Sequence, residues 1–175
     1  MLTYKAINIL MKILISGCSF SQWPEYPGGP NTCWPRYLKD IRPNDNIVTV
    51  AEAGAGNQYI CDSVIRKVLE DRPDYVLVMW SGVSRLDFLT DLSDSAWHEL
   101  FDSYGFYRRV EQCPNRLGYI FSGGRLGPWT TNPITKKLFA DLYKVSDNLS
   151  LAYINLIEII KTQEFLKNQR IPYKF

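Results

Sequence analysis

Three short apolar runs constrain this chain more than any other feature: KILIS (residues 12–16), NIVTVA (46–51) and YVLVMW (75–80). Each is continuous rather than alternating, the pattern of a strand covered on both faces. The stretches between them carry helical spacing. TCWPRYLKDI (32–41) has a proline near its start, where a helix tolerates one. In residues 57–70, Ile60, Val64 and Val68 repeat at i+4, with Cys61, Ile65 and Leu69 beside them. This alternation predicts an α/β domain with a mainly parallel sheet between layers of helices, and right-handed crossovers restrict its topology.

The rest of the chain is less regular. SRLD (84–87) reads as the start of a short helix, with Ser84 as cap and Asp87 reaching back. DSAWHELF (94–101) has helical character, and RLGYIFSGG (116–124) contains a strand-like run. Asn132 and Pro133 then open a helix, with Leu138, Leu142, Val145 and Leu149 expected along one face. A second helix over 150–168 is expected to bury Ile154, Ile157 and Phe165, and IPYKF (171–175) begins another strand. There is no internal repeat and no linker. Residues 12–175 are expected to form one domain, with 1–11 as an N-terminal extension and Met11 as an alternative start.

Composition narrows the function classes. A formal charge of +2 without a basic run or acidic tail argues against a nucleic-acid partner. Four scattered cysteines, no C-x-x-C and a single histidine, His98, argue against a metal site and suit reduced thiols, so no metal or organic cofactor is expected. The tetrad ISGC ending at Cys18 resembles a lipobox, but Asn8 and Lys12 interrupt the apolar stretch that a lipid-anchored precursor needs. No run of about 18 apolar residues appears, so neither a transmembrane segment nor a lipid anchor is expected.

Ligands of a parallel α/β sheet gather at the C-terminal ends of its strands. The three runs end in GCSFS, EAGAGN and SGVSR. If the strands are neighbours, Ser19, Gly56 and Ser84 converge, and a serine beside a glycine amide and a second donor makes a nucleophile with an oxyanion pocket.

These blocks resemble the SGNH, or GDSL-like, hydrolases, three-layer α/β/α esterases and lipases of flavodoxin-like form. GCSFS matches the family's G-D-S-x-S, which implies Ser19 as nucleophile. Gly56 matches the second-block glycine, with Gly54 as the alternative, and GVSR (82–85) aligns with G-x-N-D. The likeness covers residues 12–83 and is loose afterwards. In wording the chain is most similar to SGNH-like proteins of tailed phages. Cys18 stands where the family has aspartate, and Ser84 where it has the asparagine that donates to the oxyanion. The family's C-terminal D-x-x-H is absent, and the sequence stops about where that segment would begin, which implies a domain truncated at that end or one that has lost its base.

The resemblance implies hydrolysis of an ester, an acyl or acetyl group on a carbohydrate or lipid. The alternative is an SGNH-fold protein without catalysis, serving as a structural or binding component of a phage particle. Under either reading other phage proteins or a second copy of the chain are expected as partners beside the substrate, and the expected setting is the host cytoplasm or the virion. Trp23, Tyr26 and Trp34 either wall a substrate groove or pin the proline-rich loop. Arg85 and Asp87 either orient a polar substrate or pair with each other. Ser19 alone also suits a turn or helix cap, Asn57 a helix cap, and both glycines a positive φ.

Overall fold

The computed structural model describes residues 10–22, 33–91, 107–109, 117–122 and 133–175. Strands β1 (Lys12–Gly17), β2 (Asn46–Thr49), β3 (Tyr75–Met79) and β7 (Tyr173–Lys174) form a four-stranded sheet in the order β2-β1-β3-β7. All three pairings are parallel, with Leu14 opposite Val48 on one side and Val76 on the other. Parallel neighbours need crossovers, and helices supply them. Helix α1 (Trp34–Ile41) joins β1 to β2, and α2 (Asn57–Glu70) joins β2 to β3. Helices α3 (Pro133–Val145) and α4 (Asn148–Asn168) precede β7. Because β2 and β3 lie on opposite sides of β1, right-handed crossovers put α1 on one face and α2 on the other. This is a flavodoxin-like α/β fold.

The main core lies on the α2 face. Leu14, Val76 and Val78 pack there with Ile60, Val64 and Val68 of α2 and Leu166 of α4. On the opposite face β3 is less covered than its apolar run suggests: Leu77 is half-buried and Met79 is 37% exposed. The strand is therefore apolar on both sides without being sealed on both.

Between β3 and α3 lies an antiparallel sheet of β4 (Asp87–Asp91), β6 (Leu117–Phe121) and β5 (Tyr107–Arg109), in the order β4-β6-β5. The strand expected within residues 116–124 is β6. The helix expected from Ser84 is instead the lead into β4. Its partner β6 explains the difference: Tyr119 and Phe121 meet Tyr59 of α2 edge-on at 5.3 and 5.2 Å, burying aromatic area that a helical turn could not reach. The helical reading of residues 94–101 and the cap at Asn132 lie outside the described residues.

Both C-terminal helices form; Phe165 packs against the core and Leu142 and Ile157 are half-buried, but the other positions expected inside face out. On α3, Phe139 is 1% exposed, whereas Leu138 and Val145 are 47% and 80% exposed. On α4, Leu149 and Ile154 are 80% and 51% exposed, and the buried face is Leu151, Asn155, Glu158, Thr162 and Leu166. Polar groups occupy that face because they have partners there. Asn57 Nδ2 donates to Asn155 Oδ1 (2.5 Å) and to the Ser81 carbonyl (3.1 Å), Ser81 N–H donates back to Asn57 Oδ1 (2.7 Å), and Asn155 Nδ2 reaches the carbonyls of Leu151 (2.6 Å) and Val83 (3.1 Å). Asn57 is thus the first residue of α2, not its cap, and clamps α2 to the exit of β3. Replacing it with alanine takes the Asn57 partner from the Ser81 N–H, the Ser81 carbonyl and Asn155 Oδ1, all in a buried site. At about 1–3 kcal/mol per orphaned group, Asn57→Ala is expected to lower stability by about 3 kcal/mol, read as a shifted urea midpoint.

Cys61 sits in the same α2–α4 seam beside Thr162 and Glu158. Burial pushes its thiol up to about 12, so it is inert at neutral pH.

Candidate functional site

The strand order reverses at β1, since the chain leaves it for β2 and then returns past it to β3. Crevices at such switch points, beyond the carboxyl ends of the strands, are where open α/β sheets take ligands. Here the crevice lies between Gly17 and Met79, the last paired residues of β1 and β3. The loops carrying Ser19, Gly56 and Ser84 all leave the sheet at this edge.

Ser19 lies in a tight turn closed by two bonds to the Cys18 carbonyl, from Ser21 N–H (2.8 Å) and Gln22 N–H (3.1 Å). The Ser19 and Phe20 side chains face out, while Cys18 and Ser21 point in and are 3% and 0% exposed. Ser21 Oγ accepts from Trp34 Nε1 at 2.9 Å, which ties α1 to the turn. Gly17 is required by space. An added Cβ would fall 2.5 Å from Ser21 Oγ and 2.9 Å from the Met79 carbonyl oxygen, and that carbonyl belongs to a paired strand that cannot yield cheaply. Gly17→Ala is expected to cost about 2 kcal/mol, seen in thermal unfolding, and to displace the Ser19 turn.

The second loop is linked to the first by Glu52 N–H donating to the Gly17 carbonyl at 3.1 Å, and by Gln22 Nε2 to Glu52 Oε2 at 3.3 Å. Its two glycines act differently. Gly54 has φ +82°, the left-handed turn conformation. Gly56 has φ −97° and is glycine for clearance: a Cβ there would meet the Arg85 carbonyl oxygen at 2.7 Å and both Asp87 carboxylate oxygens at 2.8 Å.

That contact corrects one expectation. The Gly56 N–H does not face an open pocket; it donates to Asp87 Oδ1 at 2.7 Å, and Tyr59 N–H donates to Oδ2 at 2.9 Å. Gly56 is the N-cap of α2, and without a capping side chain its helix end leaves backbone donors that a carboxylate satisfies well. The SRLD reading had the right chemistry, a carboxylate accepting helix N–H groups, but the wrong helix. Burial pushes the Asp87 carboxyl up to about 7, against the opposing pull of those two amides and the Arg85 charge.

Ser84 is half-buried on the third loop, and its carbonyl accepts from the Tyr143 hydroxyl of α3 at 2.6 Å. Arg85 is half-buried as well, with Nη1 buried and without a hydrogen-bond partner among the described residues. Trp34 lines a cavity of about 290 Å³ with Leu77, Met79, Trp80, Lys174 and Phe175, next to the β1–β3 crevice. Trp23, Tyr26 and His98 lie outside the described residues. Sequence reasoning missed Ser21, whose inward-facing hydroxyl sits in the Ser19 turn itself, and Asn155, Tyr143 and Lys174, which the tertiary fold brings to the rim from distant parts of the chain.

The fold and rim define a flavodoxin-like α/β domain with a serine at the switch point. No protein-family model and no curated protein sequence matches the chain. Among solved structures it is similar to a catalytic mutant of an acetylxylan esterase from Geobacillus stearothermophilus, at 11% identity and a TM-score of 0.35, covering 93% of this chain and 74% of that one. So slight a likeness bears on neither the fold nor the reaction. Among the described residues no helix is long and apolar enough to cross a membrane.

Proposed function

We propose that the chain is an SGNH-type ester hydrolase domain in which Ser19 is the nucleophile. The observation that carries the reading is the position of Ser19: an exposed residue on a hydrogen-bonded turn at the sheet's switch point. Ser19 Oγ attacks the ester carbonyl carbon, and its proton passes to a base. The tetrahedral intermediate expels the alcohol, which takes up a proton, and water then hydrolyses the acyl-enzyme to free acid and Ser19. The Ser19 N–H and the Ser84 hydroxyl are the proposed oxyanion donors, while Gly56, held by Asp87, shapes the rim. The base is proposed to be an imidazole, and His98 is the histidine that this sequence contains. The aromatic cavity beside the turn suits the acyl or sugar portion of the substrate, with Trp34 as one wall and Arg85 near the third loop. The tailed-phage setting rests on the wording of the sequence alone.

A second reading, ligand binding without turnover, is favoured by the Gly56–Asp87 bond. An oxyanion pocket short of one donor forfeits about 3 kcal/mol of transition-state stabilisation. Hydrolysis of p-nitrophenyl acetate by the purified protein and by Ser19→Ala separates the two readings. Turnover that depends on Ser19 supports the hydrolase, and equal rates end it.

A further inference from the structure

The buried side-chain polar atoms without a hydrogen-bond partner among the described residues all lie in one short segment, the exit of β3: Trp80 Nε1, Ser81 Oγ and Arg85 Nη1. Buried polar groups are nearly always paired with protein, water or a ligand, and an unpaired one is costly. Arg85 is the extreme case, because a guanidinium stays charged at every working pH. Its backbone fixes its place. Arg85 N–H donates to the Gly82 carbonyl at 3.0 Å, and the Arg85 carbonyl oxygen lies 2.7 Å from where a Cβ on Gly56 would stand, so the residue sits where the second and third loops meet. The carboxylates of this edge are engaged elsewhere. Asp87 gives one oxygen to Gly56 N–H and the other to Tyr59 N–H, and Glu52 accepts from Gln22 Nε2. Among the described residues Arg85 takes part in no ion pair.

We propose that the half-buried Arg85 guanidinium is the anchor of a carboxylate-binding site at the switch-point rim. Its planar fork presents paired N–H donors at the spacing of the two oxygens of a carboxylate. Arg85 is the one cation of WSGVSRLD (80–87), and a single guanidinium matches the one negative charge of a carboxylate rather than the near double charge of a phosphate monoester. Ser84, the residue before it, is the proposed oxyanion donor, so a bound carboxylate lies beside the reacting ester. The substrate is then an ester that carries its own carboxylate. That use rests on the hydrolase reading, whereas the anion site itself does not depend on turnover.

Thermal unfolding in adipate, in inorganic phosphate and in sodium chloride at equal ionic strength tests the site. Adipate is expected to raise the unfolding temperature of the wild type above its value in chloride. Arg85→Met is expected to unfold no lower than the wild type in chloride, since its removal orphans no described partner, and to lose the rise in adipate. Should that variant fail to fold, Arg85→Lys, which keeps the charge without the fork, is expected to show a smaller rise. A wild type that adipate does not stabilise or that phosphate alone stabilises, an equal rise in the variant, or an Arg85→Met protein that unfolds lower in chloride overturns the proposal. For the substrate, the ratio of kcat/KM for 4-nitrophenyl hydrogen adipate to that for 4-nitrophenyl acetate is expected to fall at least about tenfold in Arg85→Met. An unchanged ratio with turnover that depends on Ser19 overturns the charged substrate and leaves the hydrolase standing. Adipate binding that needs Arg85, without turnover that depends on Ser19, supports the site and ends the hydrolase.

Discussion

Ser19→Ala is expected to lower esterase kcat by at least about a thousandfold while leaving the unfolding curve where it was. The first part follows from nucleophilic catalysis, where loss of the attacking oxygen removes the covalent route and leaves only what binding and the oxyanion donors supply. The second follows from the turn. Its closure depends on backbone bonds to the Cys18 carbonyl, on the buried Ser21 hydroxyl and on the Trp34 indole. The Ser19 side chain is exposed, and among the described residues no hydrogen bond of its hydroxyl holds the turn. Surface changes of this kind move stability by no more than about 0.5 kcal/mol. A kinetic loss without a stability change therefore assigns the hydroxyl to chemistry. A combined loss would instead give Ser19 the structural role its turn position also suits.

Asp87 is expected to behave the opposite way, with a large effect on stability. Asp87→Ala removes the acceptor of two N–H groups at the start of α2, and Asp87 itself is 7% exposed, so water does not readily replace it. The loss expected is about 3 kcal/mol, measured as a urea midpoint at pH 7.5. The pH dependence carries a separate signature. The folded carboxyl titrates near 7 and the unfolded one near the ordinary aspartate value of 3.8. Between those values the folded protein holds a proton that the unfolded chain has released, so this group's contribution falls as pH rises from about 4 to about 7 and is level on either side. Asp87→Asn cannot titrate and should flatten that slope. Burial and the Glu158 charge also raise the Asp62 carboxyl. Its shift has the same sign, so a shallower slope is expected to persist in the variant. Wild type and Asp87→Asn with equal slopes from pH 4 to 7 would show that the Asp87 carboxyl titrates normally.

The contrast between these residues reflects how much of the molecule could be read before it was seen folded. GCSFS stands out by composition alone, because a buried strand followed by glycine and small polar residues has few uses other than a tight turn at a sheet edge. The SRLD segment misleads for an equally physical reason. A serine followed three residues later by aspartate is a local capping pattern, but the helix end that needed a carboxylate was α2, about thirty residues earlier in the chain. Local pattern shows that an acceptor is present and cannot show which donors will reach it.

By itself the sequence determined the parallel sheet, its crossover helices and the loops that share its C-terminal edge. Apolar run length and helical period are local quantities, and chirality supplies most of the remaining topology. Only the tertiary structure decided the pairing of Asp87 with Gly56, the polar clamp of Asn57 on Asn155, and the side of α4 that faces inward. Those outcomes depend on hydrogen-bond partners distant in the chain, and a buried asparagine with partners can outcompete a leucine for the inner face of a helix.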